Sequence, residues 1–294
     1  MMKTIGIIGL GSIGYRHFKN LQDMGHRVLG FDPFKKEVSN ASLGKIAREA
    51  NAVVIAVPTE LHYSYLDEVI MTMRKPFFIE KPIATQENVS FLITEAKISG
   101  LPMMVGYNLR YRSCVKKAKE WLDAGFIGGP LWSNFALAQW NRKPSYLRDG
   151  VILNWSHEID LCNYLLGPST VAGSSVRLSD NQDDMADILL THSNGCRSTV
   201  HLDYLTVREQ RKFCIVGKKG RITADIVNNT ADLLMDNDLA ESHQFNDTFN
   251  DNYIDEMQDF INLLDGKPSI GCSAEEGMET LKICLEVRKG AGLP

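Results

Sequence analysis

Thr4-Ile5-Gly6-Ile7-Ile8-Gly9-Leu10-Gly11-Ser12-Ile13-Gly14 opens on a short apolar run that passes directly into a Gly-x-Gly-x-x-Gly loop. The apolar run has the length and composition of a strand buried on both faces. Ile13, Phe18 and Leu21 then recur at helical intervals up to Gly25. A glycine loop joining a strand to a helix is the fingerprint of a dinucleotide site. Gly9 allows the tight turn, Gly11 lets a pyrophosphate approach the main chain, and Gly14 lets helix and strand pack closely. Ser12 and Ile13 begin the helix, where free N–H groups and the helix dipole favour an anion.

A second strand, His26–Phe31, ends at Asp32, about 20 residues beyond the loop, where a carboxylate accepts the ribose hydroxyls of an adenosine. The same carboxylate repels a 2′-phosphate, so NAD is expected rather than NADP, with Lys35 and Lys36 close enough to offset one phosphate. The loop and the acid alone do not prove redox chemistry, because methyl-donor enzymes share them.

Reading outward, Ala52–Val57, Phe77–Glu80 and Met103–Gly106 are further short apolar strands separated by helical patterns. Alternation of this kind implies a parallel sheet. Between Asp32 and Ala52 there is room for one helix, Ser42–Glu49, which predicts a trimmed Rossmann-type sheet. Past Arg112 the pattern changes. A helix over Ser113–Ala124 is followed by strands at Leu131–Gln139, Val171–Arg177, Met185–Thr191, Arg197–Leu205, Lys212–Val216 and Arg221–Ile226. One long helical pattern, Asp149–Leu166, interrupts them, and helices near Asp251–Asp265 and Ala274–Lys289 close the chain. The expected architecture is an α/β dinucleotide-binding domain over residues 1–112. An α+β domain with a mostly antiparallel open sheet, for substrate binding and oligomerisation, follows over residues 113–294, its last helix free to pack back on the first domain.

Bulk properties narrow the partners. A chain of 294 residues exceeds what one core usually fills. The formal charge of -4 and the absence of a Lys/Arg-rich run argue against nucleic acid. No apolar run has the length of a membrane span, and no leader pattern precedes the first strand. Cys114, Cys162, Cys196, Cys214, Cys272 and Cys284 are scattered, with no pair at metal-ligand spacing, so no metal is expected and a reducing, cytoplasmic setting is.

The remaining motifs carry a resemblance. Pro58-Thr59-Glu60-Leu61-His62 follows the third strand, Glu80-Lys81-Pro82 the fourth, and Gly106-Tyr107-Asn108-Leu109-Arg110-Tyr111 the fifth. Ala124-Gly125-Phe126-Ile127-Gly128, Ser156-His157-Glu158-Ile159-Asp160 and Tyr253-x-x-Glu256-x-x-x-Phe260 continue the series. Together with the opening loop, these resemble the glucose-fructose oxidoreductase / inositol dehydrogenase family over nearly the whole chain. The resemblance implies hydride transfer between nicotinamide and a sugar, polyol or sugar-nucleotide carbon. It places Lys81 at the nicotinamide end of the cofactor, touching the hydroxyl that is oxidised, with Pro82 holding it through a cis bond. An ammonium beside a cationic nicotinamide is driven toward its neutral form, which suits proton transfer. It also places His157 opposite Lys81 as a second proton-handling group, and Pro58, Thr59, His62 and Glu80 on the cofactor side.

Tyr107, Asn108, Arg110, Trp140, Arg142, Tyr146, Arg148, Asn154 and Asp160 are candidate sugar contacts, since aromatic faces and guanidinium groups suit sugar rings and phosphates. Asp160 could instead orient the histidine or its helix. One departure stands out. Many relatives carry an aspartate four residues before the histidine, and Leu153 occupies that place here, with Asn154 the nearest polar side chain. The subgroup with Ser-His-Glu-Ile-Asp resembles members of surface-sugar and sugar-nucleotide pathways. Two alternatives remain at this point: an enzyme that retains NAD while it eliminates or hydrolyses a group, and a non-catalytic dinucleotide sensor. The resemblance also implies a homodimer or homotetramer.

Overall fold

The computed structural model describes residues 1–140, 150–236 and 238–293. The chain divides into two compact units that are discontinuous in sequence. The first comprises residues 1–108 and 249–278, the second residues 109–248 and 279–294.

In the first unit, β1 (Thr4–Ile8), α1 (Ser12–Asp23), β2 (Arg27–Phe31), α2 (Leu43–Glu49) and β3 (Ala52–Ile55) follow in close succession. Next come α3 (His62–Asp67), which runs on into a π-helical turn, then β4 (Phe77–Glu80), α4 (Ser90–Ile98) and β5 (Met103–Gly106). The five strands pair in parallel in the order β2-β1-β3-β4-β5. The expected trimmed sheet is therefore the observed one. The chain steps from β1 to β2 on one side and then returns to place β3 on the other, with only α2 between. Every residue of β3 is buried, as a purely β-branched and alanine strand covered on both faces requires.

The first unit also takes in a segment that a cut after Arg112 leaves out. In the late helix α8 (numbered in chain order after those below; Phe249–Leu264), Met257, Phe260 and Ile261 join the cluster of Ile5, Ile7, Leu21, Val54, Phe78 and Met104. Burying that apolar face is what binds residues 249–264 to the parallel sheet.

The second unit contains α5 (Ser113–Asp123), β6 (Pro130–Ala138), α6 (Gly150–Asn154), α7 (His157–Leu166), β7 (Ser169–Ser179), β8 (Gln182–His192) and β9 (Arg197–Asp203). It continues with β10 (Gln210–Gly217), β11 (Gly220–Asp225), β12 (Thr230–Met235) and β13 (Asp238–Gln244). The last helix, α9 (Ala274–Gly290), carries the boundary between the units within it. The sheet order is β13-β12-β11-β10-β6-β9-β8-β7. All neighbours are antiparallel except β6 and β9, which run parallel. Phe135 and Phe213 stack at 5.2 Å on the covered face, beside Ile188, Val200 and Ile215.

Two sequence expectations change here. The helical pattern over Asp149–Leu166 is two helices, α6 and α7, separated at Trp155-Ser156. Its first residue lies outside the described residues. The break has a packing cause: Trp155 sits edge-on to Tyr204 at 4.4 Å, and the Asn154 amide donates to the Tyr204 hydroxyl at 2.8 Å. Strands β12 and β13 add to the expected set: β12 buries Ala231 and Leu233 in a stretch too short to stand out, and β13 lacks a run of apolar alternation. Among the described residues no helix is long and apolar enough to cross a membrane.

Candidate active site

Because β2, β1, β3 and β4 are parallel and in register, their carboxyl ends lie along one edge of the sheet. The order reverses at β1, and crevices at such switch points are where open α/β sheets take their ligands.

The glycine loop leaves β1 at that point. Gly9 has φ +92°, and a Cβ there would stand 2.5 Å from the Ala56 carbonyl oxygen beyond β3. At Gly14 a Cβ would stand 1.9 Å from the Gly9 carbonyl oxygen, so only glycine lets α1 start this close to the loop. Gly11 differs from both. Its φ is -61°, and a Cβ would meet nothing within 4 Å. It faces open space at the amino end of α1, which no side chain caps. These are the properties of a pyrophosphate cradle, and Ser12 and Ile13 supply its first helical N–H groups.

Asp32 lies beside the loop. One carboxylate oxygen accepts from Leu10 N at 2.8 Å, and the other from Phe34 N at 2.9 Å and Lys35 N at 3.2 Å. The carboxylate is thereby held ready-oriented, and a carboxylate has acceptor capacity beyond these bonds for ribose hydroxyls. Burial, and next the Asp32 charge, hold the Tyr65 phenol above its ordinary pKa. No sequence signal pointed to Tyr65. Pro58 and Thr59 start a 3-10 turn after β3.

Glu80 ends β4, Lys81 follows it, and the Lys81-Pro82 bond is cis. Lys81 is half-buried and Pro82 buried. His62, expected on the cofactor side, is a buried ring whose two nitrogens lie 2.9 Å from the Pro82 carbonyl and 3.0 Å from the Val57 carbonyl. Both facing groups are acceptors, so the neutral ring donates to one of these two carbonyls, according to its tautomer. Burial holds its pKa below the ordinary value. Tyr107 and Asn108 are buried where β5 ends.

In the second unit His157 is the first residue of α7 and half-buried. The two acids of Ser156-His157-Glu158-Ile159-Asp160 are both in two-point ion pairs. Arg110 reaches Asp160 with Nε at 3.0 Å and Nη2 at 2.6 Å, and both side chains are buried. Arg211 on β10 reaches Glu158 at 2.6 and 3.1 Å. Arg110 and Asp160, expected at the substrate, are therefore engaged with one another, because two buried opposite charges satisfy each other's hydrogen bonds. Asp160 acts as an anchor of the helix. Asn154 is tied to Tyr204, as described above. Trp140 is partly exposed. Arg142, Tyr146 and Arg148 lie outside the described residues.

Arg211 and Tyr204 escaped the sequence reading, since each acts on a residue about 50 positions away. Cys114 and Cys162 are unsuited to nucleophilic roles, burial having pushed both thiols up to about 12. Among the described residues no group of three or more His, Cys, Asp or Glu side chains is arranged to hold a metal ion.

Comparison with known proteins agrees with this geometry. Residues 100–288 match the family profile described as the oxidoreductase family, C-terminal alpha/beta domain, of the Gfo/Idh/MocA group. The chain belongs to this family. Residues 1–77 match the NAD-binding domain of D-isomer-specific 2-hydroxyacid dehydrogenases, so NAD is the cofactor and the protein is an NAD-dependent dehydrogenase or reductase. It is 26% identical to myo-inositol 2-dehydrogenase of Thermotoga maritima, over 97% of this chain and 95% of that protein. It is 25% identical to 2,7-anhydro-N-acetylneuraminate hydratase of Escherichia coli, over 76% of this chain and 68% of that protein. UDP-N-acetylglucosamine 3-dehydrogenase of Acidithiobacillus ferrooxidans is 25% identical over 98% of this chain and 96% of that protein. The solved structure of that enzyme superposes with a TM-score of 0.84 at 22% identity, covering 98% of this chain and 97% of that one, which shows the shared fold.

Proposed function

We propose that this member of the family oxidises or reduces a hydroxyl-bearing carbon of a sugar, polyol or sugar nucleotide. The observation that carries the reading is the single sheet edge on which the Gly9–Gly14 cradle, Asp32, the Pro58-Thr59 turn and Lys81 follow from successive parallel strands. Names of relatives with inositol and UDP-N-acetylglucosamine substrates support the substrate class.

When bound, NAD supplies the hydride acceptor or donor. Gly11 and the amino end of α1 hold its pyrophosphate, and Asp32 its adenosine ribose. Lys81 takes the proton of the substrate hydroxyl in the oxidative direction and returns it in the reductive one. His157 handles the same proton as hydrogen-bond partner or relay, with its helix held by Arg110 and Arg211. Tyr107, Asn108 and Asn154 form part of the substrate's surroundings. The substitution of Leu153 for an acid removes one proton acceptor and leaves the sugar's own contacts different from those of an inositol enzyme.

Lys81→Met tests the reading. With sugars, polyols and sugar nucleotides screened for NADH absorbance in the parent protein, the variant should lose turnover and keep its affinity for NAD. Turnover equal to the parent's would overturn the role of Lys81. The hydratase relative favours a second reading, in which NAD stays bound through a transient oxidation, elimination and reduction. Cofactor that co-purifies, together with product formed without net NADH, selects it.

The open face of the eight-stranded sheet carries Trp132 and Leu189, each about half exposed, and we assign to that face the contact of a homodimer or homotetramer. Light scattering on the purified protein reads this directly, and a monomer overturns it.

A further inference from the structure

Two buried histidines outside the proton-handling pair converge on one turn. His17 lies on α1, one and a half turns past the cradle, and is fully buried. Its Nε2 is 2.7 Å from Glu80 Oε1. The carboxylate can only accept, so Nε2 carries the hydrogen. Its Nδ1 is buried with no hydrogen-bond partner. The ring packs edge-on against Phe78 at 5.3 Å and Tyr253 at 5.8 Å. A phenylalanine would fill that space without stranding a polar atom, so what the histidine adds is its bond to Glu80. On the other flank, His62 spans the Val57 and Pro82 carbonyls. Gly106 makes room for the Glu80 carboxylate, since a Cβ there would come 3.2 Å from its other oxygen.

We infer that His17 and His62 are positioning residues that clamp the Glu80-Lys81-Pro82 turn between the helix of the pyrophosphate cradle and the loop after β3. One holds the side chain before Lys81, and the other, as the tautomer with its hydrogen on Nδ1, holds the carbonyl after it. The lysine is thereby fixed to the two segments that border the cofactor, so that binding of the dinucleotide and placement of the lysine are mechanically one event. The functional consequence rests on the proton-handling role proposed for Lys81, whereas the clamp itself does not.

The test is amide hydrogen exchange on the full-length protein saturated with NAD, resolved by peptide, with His17→Phe, His17→Gln and His62→Leu. Loss of one clamp should raise exchange in residues 80–85 by about ten-fold or more. The cradle, residues 4–14, should keep its protection. His17→Gln retains a donor toward Glu80 and should stay near the parent. Unchanged exchange in both apolar variants, or an equal rise across the whole first unit, overturns the clamp. If the apolar histidine variants do not fold, Glu80→Ala, which removes the acceptor of the His17 hydrogen bond, carries the test, and unchanged exchange over residues 80–85 in it overturns the clamp equally. Should Lys81→Met still turn over while the exchange pattern holds, the clamp stands and the role of Lys81 falls.

Discussion

The Arg110 guanidinium forks onto the Asp160 carboxylate inside the second unit, with bonds of 3.0 and 2.6 Å and both partners buried. The arginine face also covers the Tyr164 ring, 4.7 Å from its centroid. Three residues before Asp160 stands His157, so the pair fixes the helix turn that presents the histidine. Asp160→Ala should cost about 3–5 kcal/mol of unfolding free energy, because it removes the counter-charge of a buried guanidinium. Urea unfolding of the single variants, compared with a double Arg110→Leu, Asp160→Leu variant, should show the double change to be the milder one. A loss below 1 kcal/mol for Asp160→Ala would show that water reaches the arginine.

Alanine scanning of the glycine loop should separate folding from cofactor binding. Gly14→Ala forces a methyl onto the Gly9 carbonyl and should lower thermal stability as well as NAD affinity. Gly11→Ala places its methyl in open space with an ordinary φ, so the melting temperature should stay within about 2 °C. NAD binding should nevertheless fall by about 100-fold or more, since that is the space proposed for the pyrophosphate. Titration of NAD against intrinsic fluorescence, beside a thermal melt, reads both.

Asp32→Asn removes the charge and keeps one acceptor oxygen, for either Leu10 N or the Phe34 and Lys35 N–H groups, while its NH2 faces the other side. NAD affinity should drop about ten-fold, while NADP should bind better than it does to the parent, aided by Lys35 and Lys36. Competition between the two cofactors measures the ratio, and a ratio equal to the parent's would show that Asp32 does not select.

His201 sits between two acids on the open sheet face, Nδ1 2.7 Å from Asp187 and Nε2 2.8 Å from Asp203. Burial works to lower its pKa, but the hydrogen bonds and charges of the two aspartates outweigh it and raise it above 6.5. A raised folded-state pKa means that the native protein binds the proton more tightly than the unfolded chain. The stabilisation is therefore complete below the unfolded pKa of about 6.5 and is lost as pH rises through the higher folded value. Urea midpoints measured across that window should fall with pH in the parent and flatten in His201→Gln. An identical slope in both would assign the pH dependence elsewhere.

The first third of the chain was legible because its strands are buried on both faces and its glycines mark the turns. β3 reads Ala-Val-Val-Ile and admits little else. The glycine loop, the acid at the end of β2 and the Glu80-Lys81-Pro82 turn after β4 were marked by spacing and resemblance, and the structure puts all three at the carboxyl ends of parallel strands. The second unit was legible in class but less so in detail. β13 is an edge strand that reads Asp-Leu-Ala-Glu-Ser-His-Gln and buries little, so the alternation that betrays a strand is missing. The partners of the site residues were the least visible. His17 and Glu80 are separated by 63 positions, and Arg110 and Asp160 by 50. Nothing local in either segment names the other.

The parallel seam between β6 and β9 has a kinetic consequence. On one side, β10 to β13 form a meander of adjacent strands, and on the other β7 to β9 form a second. Each zips up through short connections. The seam instead pairs Trp132 with Arg197 and Ser133 with Ser198, whose hydroxyls meet at 2.6 Å across 65 positions. Closing a loop of that length costs entropy before any contact rewards it. The two meanders can form early, but the eight-stranded sheet exists only once β6 has joined β9 at the seam and β10 on its other side, both remote in sequence, and those junctions govern how fast the second unit reaches its native state.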